Sequence, residues 1–467
     1  MKVLDLKDKR FWNLMVNIGL PIAIQNLILN SLTLVDNILI GGLGDANIAA
    51  VGVANKLTFI FMIFLFGINS GASIFSAQFW GKKDIIGVRM VLGLSIILSL
   101  GFSIPFTLAG VLASHSIVDI FSNDPDVIQK GASFLGIVAL TYPISAITTS
   151  YSMQSRGVGR TKVPLLASAI ALTVNTVLGY ILIYGKFGMP AMGIKGAAIA
   201  TLVARIIECL IILVIIYWNK YELAAKLSEF RGYNNDFLRR FSKPVLPVIL
   251  NELLWSIGVT GYTYFYGVMG TEAVATVQIL DVINAMFVSL FMGLGNACGA
   301  IIGNLIGAGN ENTARVYAKR SIVLAVGLAV VISGLLLLMA PFFLSFFNIS
   351  DTTMEICKKT IIVYAAYMIP KIINMIMIVG VCRGGGDTVF AAIIDVGAPW
   401  LIGLPMAYIG VKVLALPMFF VMAMINLEEI VKCILGIYRL LSDKWLHNLV
   451  KDFNHGEVEA VTEATAS

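Results

Sequence analysis

The chain has 467 residues, of which 58% are hydrophobic and only 13% are charged, and its mean hydropathy is +0.89. This composition excludes a soluble globular domain and indicates an integral membrane protein. The formal net charge of +6 would suit a nucleic-acid partner, but the positions of the basic residues, given below, exclude one.

Apolar stretches long enough to cross a membrane recur along the whole chain. A hydrocarbon core of about 30 Å takes roughly 20 helical residues, and a helix satisfies its own backbone hydrogen bonds in lipid. The sequence therefore predicts an all-α integral membrane protein with twelve transmembrane helices. In chain order, the predicted spans are residues 14–40, 48–79, 88–114, 130–156, 163–185, 193–218, 242–268, 272–306, 318–346, 356–382, 388–411 and 415–440.

The loops between the spans indicate the orientation in the membrane. The amino-terminal residues are charged and lead directly into a full-length span, so we expect no removable signal peptide. With the amino terminus in the cytoplasm, 23 of the 33 Lys and Arg residues lie in cytoplasmic loops and six in outer loops. This asymmetry follows the positive-inside rule and predicts that both termini are cytoplasmic. We expect residues 446–467 to form a tail that ends in disorder.

The sequence repeats itself after 226 positions, and after 227 positions further along, where YPISAITTSYSMQSRGVGRT lies over IPKIINMIMIVGVCRGGGDT. LPIAIQNLILNSLTLVDNILIGGLGDANIAAV from Leu20 aligns without a gap with LPVILNELLWSIGVTGYTYFYGVMGTEAVATV from Leu246, which pairs Gly44 with Gly270. Each repeat holds six spans, so both halves cross the membrane in the same sense and form a parallel repeat.

This repeat predicts two pseudo-symmetric six-helix lobes around a central cavity. The amino-terminal lobe comprises residues 1–220 and the carboxyl-terminal lobe residues 242–445, joined by a charged cytoplasmic loop at 221–241. Two lobes around a cavity are typical of a transporter.

The first span carries a carboxylate within an apolar stretch. At 100° per residue, Asp36, Thr33, Asn26 and Asn30 lie on one face of the helix. A central Asp costs about 2.5–3.5 kcal/mol on insertion scales, so we expect this face to point toward protein or water. Two interpretations remain, since Asp36 either joins helices together or belongs to a transport pathway.

Possible partners for Asp36 are predicted in the fifth and sixth spans. The fifth span supplies Asn175, and the sixth supplies Thr201 with the carbonyl of Ala197 one turn away. These oxygens are ligands that a hard monovalent cation such as Na⁺ accepts, and a carboxylate alone can take a proton. The sequence leaves H⁺ and Na⁺ open as occupants.

The seventh span repeats the polar face with a different charge. Tyr262 takes the position of Asp36 and Glu252 that of Asn26, while Trp255 and Tyr266 lie on the same face. The spans of this lobe hold five acids and two bases. The acids are Glu252, Asp281, Asp395, Glu428 and Glu429, and the bases are Lys371 and Lys432.

An acidic lobe with aromatic rings suits bulky organic cations, although such rings also serve ordinary packing. Glu428 and Lys432 are four residues apart, which fits an ion pair as well as a functional role. Lys371 is expected to be the counter-ion of either Asp395 or Glu252. Arg205 and Glu208 are expected to form a structural pair.

Several chemistries are excluded by what the spans lack. The three histidines lie outside the spans, and the five cysteines are widely spaced, so neither catalysis nor a disulfide or zinc framework is expected. GNLIGAGN and RGGGDT lack the Lys-Ser/Thr ending of phosphate-binding loops. We therefore expect no enzyme and no cofactor beyond a coupling ion.

Six segments together resemble the MATE (multidrug and toxic compound extrusion) family. They are LVDNILIGGLGDANIAAV, QFWGKKD, RGVGRTKVP, GIKGAAIATLVAR, IIGNLIGAGNENTA and RGGGDT. The resemblance covers nearly the whole chain. It implies a twelve-helix exporter in the plasma membrane that exchanges protons or sodium ions for organic cations, and we expect a monomer in contact with lipid.

The resemblance also implies roles for individual residues. The acid of the amino-lobe cation site corresponds to Asp36, with Asn175 and Thr201, and Glu252 matches the seventh-helix acid of the NorM-type branch. The chain departs from that branch in its tenth span, IPKIINMIMIV, which has Lys371 and Asn374 in place of an Asp.

The expected mechanism is alternating access with antiport, in which cation and drug compete for the charge of the acids. A lipid-linked oligosaccharide flippase of related fold is the nearest alternative, but its cavity would be basic. An ion channel is the alternative from a different class.

Overall fold

A computed structural model of the chain describes residues 8–230, 233–345, 349–451 and 453. The regular elements of these residues are helical. The first half holds α1 Lys9–Gly41, α2 Asp45–Gly81, α3 Ile85–Leu112, α4 Ser114–Asp119, α5 Pro125–Val138, α6 Thr141–Gly157, α7 Lys162–Tyr184 and α8 Ile194–Trp218. The second half holds α9 Asn235–Met269, α10 Thr271–Gly307, α11 Glu311–Ser345, α12 Asp351–Met375, α13 Thr388–Ala398, α14 Leu404–Tyr408, α15 Met418–Ile425 and α16 Leu427–Leu441.

The helices form two compact units, each with its own apolar core. One unit comprises Met1–Ala23 and Leu246–Lys451, and the other comprises Ile24–Val245 and Asp452–Ser467. The long helices α1 and α9 therefore each contribute residues to both units. We call them the carboxyl-terminal and the amino-terminal unit, and within each only the described residues are considered. Because α1 divides at residue 23, this division differs from the predicted lobe boundary at that end.

Backbone conformations repeat between the two halves at the predicted offset. Gly44, before α2, has φ 98°, and its counterpart Gly270, before α10, has φ 109°. Further along the chain, at an offset of 227 positions, Gly159 (φ 77°) corresponds to Gly386 (φ 85°). Only glycine adopts these conformations without steric cost, which explains why the turns carry it in both repeats.

The second half departs from this symmetry in its helical geometry. Wider, π-helical turns occupy Ile376–Arg383, Pro399–Gly403 and Ile409–Val413. Pro399 and Pro405 lack the backbone N–H that donates a hydrogen bond in a regular helix. The backbone hydrogen bonds around them therefore change from the α-helical to the wider π-helical spacing.

The helices are long and apolar enough to account for most of the predicted spans. Among the described residues, ten helical segments meet the length and hydropathy of a membrane span. An eleventh is the bent pair of α5 and α6, which meet at 46°. The predicted twelfth span falls on α15 and α16, which have 8 and 15 residues and carry Glu428, Glu429 and Lys432. Its crossing of the membrane stays a prediction.

The predicted interlobe loop is largely structured. Arg89 of α3 pairs with Glu229 at 2.6 Å, and Arg160 pairs with Glu222 at 2.8 Å. Helix α9 begins at Asn235, inside the predicted loop. These contacts tie the loop to the amino-terminal unit.

The predicted tail also begins with packed residues. His447 donates its backbone N–H to the carbonyl of Gly385 at 2.7 Å, and Val450 is fully buried. Within the predicted tail 446–467, residue 452 and residues 454–467 lie outside the described part of the chain. The predicted disorder falls on these residues and stays a prediction.

A close approach of α1 and α10 yields a stability prediction. A Cβ atom on Gly293 would lie 2.6 Å from Ala23 Cβ and 2.7 Å from Ala23 backbone atoms. We expect Gly293→Ala to destabilise the protein by about 1–3 kcal/mol, because two helix backbones must separate. Chemical unfolding in detergent measures this loss of stability.

Gly327→Ala on α11 is the matched control, since open space surrounds Gly327 and the added methyl group is expected to be neutral or stabilising. Equal stability of the two variants would contradict the packing argument.

Candidate functional site

Four predicted residues of the amino-terminal unit form a continuous polar chain. Asn175 of α7 donates its Nδ2–H to Thr201 Oγ1 at 3.2 Å, and Thr201 donates its hydroxyl to the carbonyl of Ala197 at 3.1 Å. Asp36 of α1 lies within interaction range of the Asn175 amide and of Arg205. Helices α1, α7 and α8 thus bring together a carboxylate, an amide, a hydroxyl and a carbonyl.

This chain has an unused acceptor and an acid without an ion pair. Asn175 is fully buried, and its Oδ1 has no hydrogen-bond partner. Among the described residues, no Lys or Arg lies at ion-pair distance from Asp36, since Arg205 pairs with Glu208 at 2.7 Å. The predicted pair of Arg205 and Glu208 is therefore present. A buried acceptor beside an unpaired carboxylate suits a small cation or a proton.

A buried network extends from this site through the amino-terminal unit. Glu208 accepts a hydrogen bond from Ser168 at 2.7 Å, and Ser168 accepts one from Gln25 Nε2 at 3.1 Å. Gln25 Oε1 in turn accepts from the guanidinium of Arg156 at 2.9 Å. Residues on α1, α6, α7 and α8 are thereby held in register.

The carboxyl-terminal unit has a charged contact at the corresponding arginine, one residue beyond the counterpart of Gln25. Arg383, the counterpart of Arg156 at an offset of 227, donates to Glu252 at 2.6 Å. The two side chains are 5% and 17% exposed. Glu252 was predicted as a second coupling acid, and a cation that reaches it must compete with this guanidinium.

Lys432 lies among three carboxylates of the same unit. Its Nζ is 3.6 Å from Asp395 and 3.7 Å from both Glu428 and Glu429. Tyr262 donates its hydroxyl to Glu428 at 2.6 Å. The predicted proximity of Glu428 and Lys432 is thus observed, within a larger group.

Lys371 has neither of its two predicted partners within ion-pair distance. Its ammonium lies 5.5 Å from the ring centre of Tyr364 and interacts electrostatically with Glu429 and Asp281. Asp395 contacts Lys432 instead, and Glu252 contacts Arg383.

The remaining predicted site residues differ in their exposure. Thr33 and Asn30 are exposed, and Asn26 is half-buried. Trp255 is 39% exposed, whereas Tyr262 and Tyr266 are both 7% exposed, and Tyr266 interacts electrostatically with Glu428 and Asp281.

Four residues that contact the predicted site residues were not predicted from the sequence. They are Arg383, Arg156, Gln25 and Asn251. The internal repeat offered a signal for them, because the two arginines align with each other and Gln25 aligns with Asn251. Polar residues at equivalent places in two apolar repeats are expected to share a structural contact.

The site chemistry limits the class of ligand. Across the described residues, no group of three or more His, Cys, Asp or Glu side chains is arranged to hold a metal ion. The oxygens around Asp36 are of the kind that a monovalent cation accepts, and the carboxylate can take a proton.

Two units of apolar helices that carry buried ionisable residues define a multi-pass membrane transport protein. Comparison with known proteins makes the class specific. The family model MatE matches residues 21–181 and 247–409, and the two matches begin 226 positions apart, which is the predicted repeat. The chain belongs to the MATE family of transporters, of the bacterial NorM-like type, and is not an enzyme.

Similar proteins cover most of the chain. The uncharacterized transporter YisQ of Bacillus subtilis is 27% identical over 80% of this chain and 82% of its own. The probable multidrug resistance protein NorM of Thermotoga maritima is 24% identical over 92% of both chains. Multidrug resistance protein MdtK of Yersinia pseudotuberculosis is 25% identical over 84% of this chain and 86% of its own.

Solved structures share the fold. A MOP superfamily transporter from Pyrococcus furiosus, described as having a binding pocket of reversed polarity, superposes with a TM-score of 0.82 at 21% identity. The alignment covers 92% of this chain and 95% of that one. The outward-facing conformation of a multidrug resistance MATE transporter gives a TM-score of 0.83 at 21% identity, covering 92% and 96%. The predicted all-helical, two-lobed transporter fold is confirmed.

Proposed function

We propose that the protein is a secondary active multidrug efflux antiporter of the plasma membrane, which exports organic cations in exchange for H⁺ or Na⁺ by alternating access. The observation that carries the proposal is Asp36, a carboxylate on a helix able to span the membrane. Among the residues that the structure describes it forms no ion pair, and it lies beside the unused acceptor of Asn175. An intramembrane acid of this kind is expected to serve a transport pathway. The relatives named for multidrug resistance support the substrate class.

The coupling follows from competition for charge. A cation that enters at Asp36 neutralises the carboxylate and satisfies Asn175 Oδ1, which changes how α1 packs against α7 and α8. A cationic drug is held better when the acid is ionised again. Antiport further requires that each ligand binds the inward-open and outward-open states with different affinity. A ligand with equal affinity for both states would not shift the equilibrium between them.

Charge and aromatic content favour an organic cation over an anionic substrate. The carboxyl-terminal unit places Asp281, Asp395, Glu428 and Glu429 in or beside the group around Lys432. Tyr262 and Tyr266 face the same acids. A lipid-linked oligosaccharide flippase would require a basic surface for its pyrophosphate. We therefore propose a cationic substrate. On the separate ground of the basic residues in the predicted cytoplasmic loops, we propose that both termini are cytoplasmic, and the monomeric state stays a prediction.

Ion gradients imposed one at a time test this function. Purified protein in liposomes is expected to accumulate a fluorescent organic cation above its external concentration when either a proton gradient or a sodium gradient is imposed alone. An ionophore that collapses the effective gradient should return accumulation to the level of protein-free liposomes. Identical, non-concentrative uptake with and without both gradients would refute antiport. An electrical current in the absence of a counter-substrate would favour a channel. Failure of the protein to transport the fluorescent cation under either gradient would favour a flippase.

A further inference from the structure

A buried arginine of the amino-terminal unit lacks a counter-charge. Arg156 lies in the last turn of α6 and is 8% exposed. Its guanidinium donates to Gln25 Oε1 at 2.9 Å and contacts the sulfur of Met153 at 3.6 Å, which is a weak acceptor. Within the part of the chain that the structure describes, its Nε has no hydrogen-bond partner, and no carboxylate lies at ion-pair distance. Buried charges are paired in folded proteins, so the missing acceptor is expected to be an anion.

The groups around Arg156 do not supply this negative charge. Gln25 is a neutral amide, and its Nε2 donates to Ser168 at 3.1 Å. Ser168 leads on to Glu208, but the charge of Glu208 is already paired with Arg205 at 2.7 Å. The dipole of α6 favours a cation in its last turn, although it acts as only about half a charge and gives Nε no acceptor.

A purely structural role explains only part of the contact. Arg156 joins α6 to α1 through Gln25, as polar residues do between membrane helices. That bond could be made by a neutral donor, which would avoid the cost of burying a charge. The joining role therefore accounts for Gln25 but leaves the guanidinium charge and its Nε unexplained.

The internal repeat shows what neutralises the equivalent arginine. Arg383, at an offset of 227 positions, is 5% exposed and donates to the carboxylate of Glu252 at 2.6 Å. The counterpart of Glu252 in the amino-terminal unit is Asn26, a half-buried amide. The same buried arginine thus meets a carboxylate in one unit and, at the corresponding position of the other, an uncharged side chain.

We propose that Arg156 is a binding site for a carboxylate group, which supplies the charge that Glu252 supplies in the other repeat. We name Arg156, Gln25 and Met153 the Arg156 site, in which Gln25 holds the guanidinium in place. A planar guanidinium presents its N–H groups as a fork that matches the two oxygens of a carboxylate. One carboxylate carries one negative charge, which balances the one unpaired positive charge. Binding is non-covalent, so no covalent bond changes.

The carboxylate can have two sources. One is a free small carboxylate ion from the aqueous phase, and this source is independent of the proposed antiport. The other is the carboxylate of a transported compound that also carries a positive charge, and this source rests on the proposed drug export. It would extend the proposed substrates from organic cations to zwitterions.

Formate binding to the full-length protein in detergent tests the site. Equilibrium dialysis against radioactive formate at constant sodium concentration is expected to show saturable binding of about one formate per chain. Arg156→Gln is expected to lower the affinity by about tenfold to a hundredfold, because the charge-assisted hydrogen bonds are lost. Arg160→Gln is the matched control, since Arg160 is 42% exposed and pairs with Glu222, and it should bind formate as the unmodified protein does. Absence of saturable formate binding in the unmodified protein would overturn the proposal.

A second variant keeps the test decisive if Arg156→Gln fails to fold. Asn26→Glu places a carboxylate at the position that Glu252 has in the other repeat, so it is expected to pair with Arg156 and abolish formate binding without any loss of stability. Unchanged formate binding by this variant would overturn the proposal. Chloride should displace formate poorly, because a single spherical ion does not match the guanidinium fork. Equal displacement by chloride would overturn the assignment to carboxylates.

Competition with a dye distinguishes the two sources. The probes are a rhodamine with a free carboxylate and the methyl ester of the same dye. Displacement of formate by the acid alone assigns the site to a zwitterionic substrate, and displacement by neither assigns it to a free small carboxylate. Equal displacement by the ester would overturn recognition of a carboxylate. None of these measurements requires an ion gradient, so a failure of ion-driven uptake is distinguishable from a failure of this site.

Discussion

Asp36→Asn is expected to abolish ion-driven accumulation of an organic cation in proteoliposomes, down to the level of protein-free liposomes. An amide cannot alternate between a charged and a neutral state, so the site at α1, α7 and α8 loses the charge for which ion and drug compete. The side chain keeps its shape, and Asn175 remains able to hydrogen-bond to it. The protein should therefore stay folded, with an unchanged elution volume in size-exclusion chromatography.

The control for this variant is Asp119→Asn, which removes an exposed acid of α4 in the same unit. It is expected to transport as well as the unmodified protein. Unchanged gradient-driven uptake by Asp36→Asn would exclude the coupling role of Asp36 and leave it with the alternative of joining helices.

Arg383→Ala is expected to lower the free energy of unfolding by about 3–5 kcal/mol, because it leaves Glu252 partly buried without its counter-charge. The two side chains are only 5% and 17% exposed, and the guanidinium donates at 2.6 Å. Chemical unfolding in detergent, followed by tryptophan fluorescence, measures the difference.

Two variants show whether the loss comes from the unpaired charge. Arg315→Ala, also on the carboxyl-terminal unit, removes a 32% exposed arginine with surface partners and is expected to cost less than about 1 kcal/mol. The double variant Arg383→Ala/Glu252→Gln should recover part of the loss, because no unpaired charge remains. If Arg383→Ala proved as stable as Arg315→Ala, the pair would have no structural importance.

The pairing of Glu252 also alters how its role is tested. The resemblance to NorM-type proteins implies a coupling acid at this position, and this stays a prediction. The pair with Arg383 suggests a second interpretation, in which Glu252 positions α9. The repeat supports this second interpretation, since Gln25, next to the Glu252 counterpart Asn26, accepts from Arg156 in the other unit. A transport assay that compares Glu252→Gln with Asp36→Asn separates the two roles.

Much of the fold was predictable because a membrane-spanning helix can be recognised from the length and hydropathy of consecutive residues. Length and hydropathy place the spans, since each must cover the hydrocarbon core with its own hydrogen bonds satisfied. The repeat at 226 positions predicted the two-lobed plan, and the glycines of its turns have positive φ in both halves. The twelfth predicted span stays a prediction, because α16 carries Glu428, Glu429 and Lys432 and is only 15 residues long.

The amino-lobe site was predictable for a similar reason. Asp36, Asn175 and Thr201 are isolated polar groups on apolar helices, so they have few partners available other than each other. Helical periodicity alone places them on faces, and the family resemblance paired them. Their hydrogen bonds agree with that expectation.

The amino-acid sequence was enough to predict the membrane class, the repeat, most of the helices and the polar group around Asp36. The partners within the carboxyl-terminal unit became known from the three-dimensional structure: Arg383 for Glu252, Lys432 for Asp395, and Tyr364 with Asp281 and Glu429 beside Lys371. The physical reason is that periodicity assigns a side chain to a face of its own helix. Which charge it meets depends on the neighbouring helices, on their tilt and π-helical turns, and on the reach of long lysine and arginine side chains.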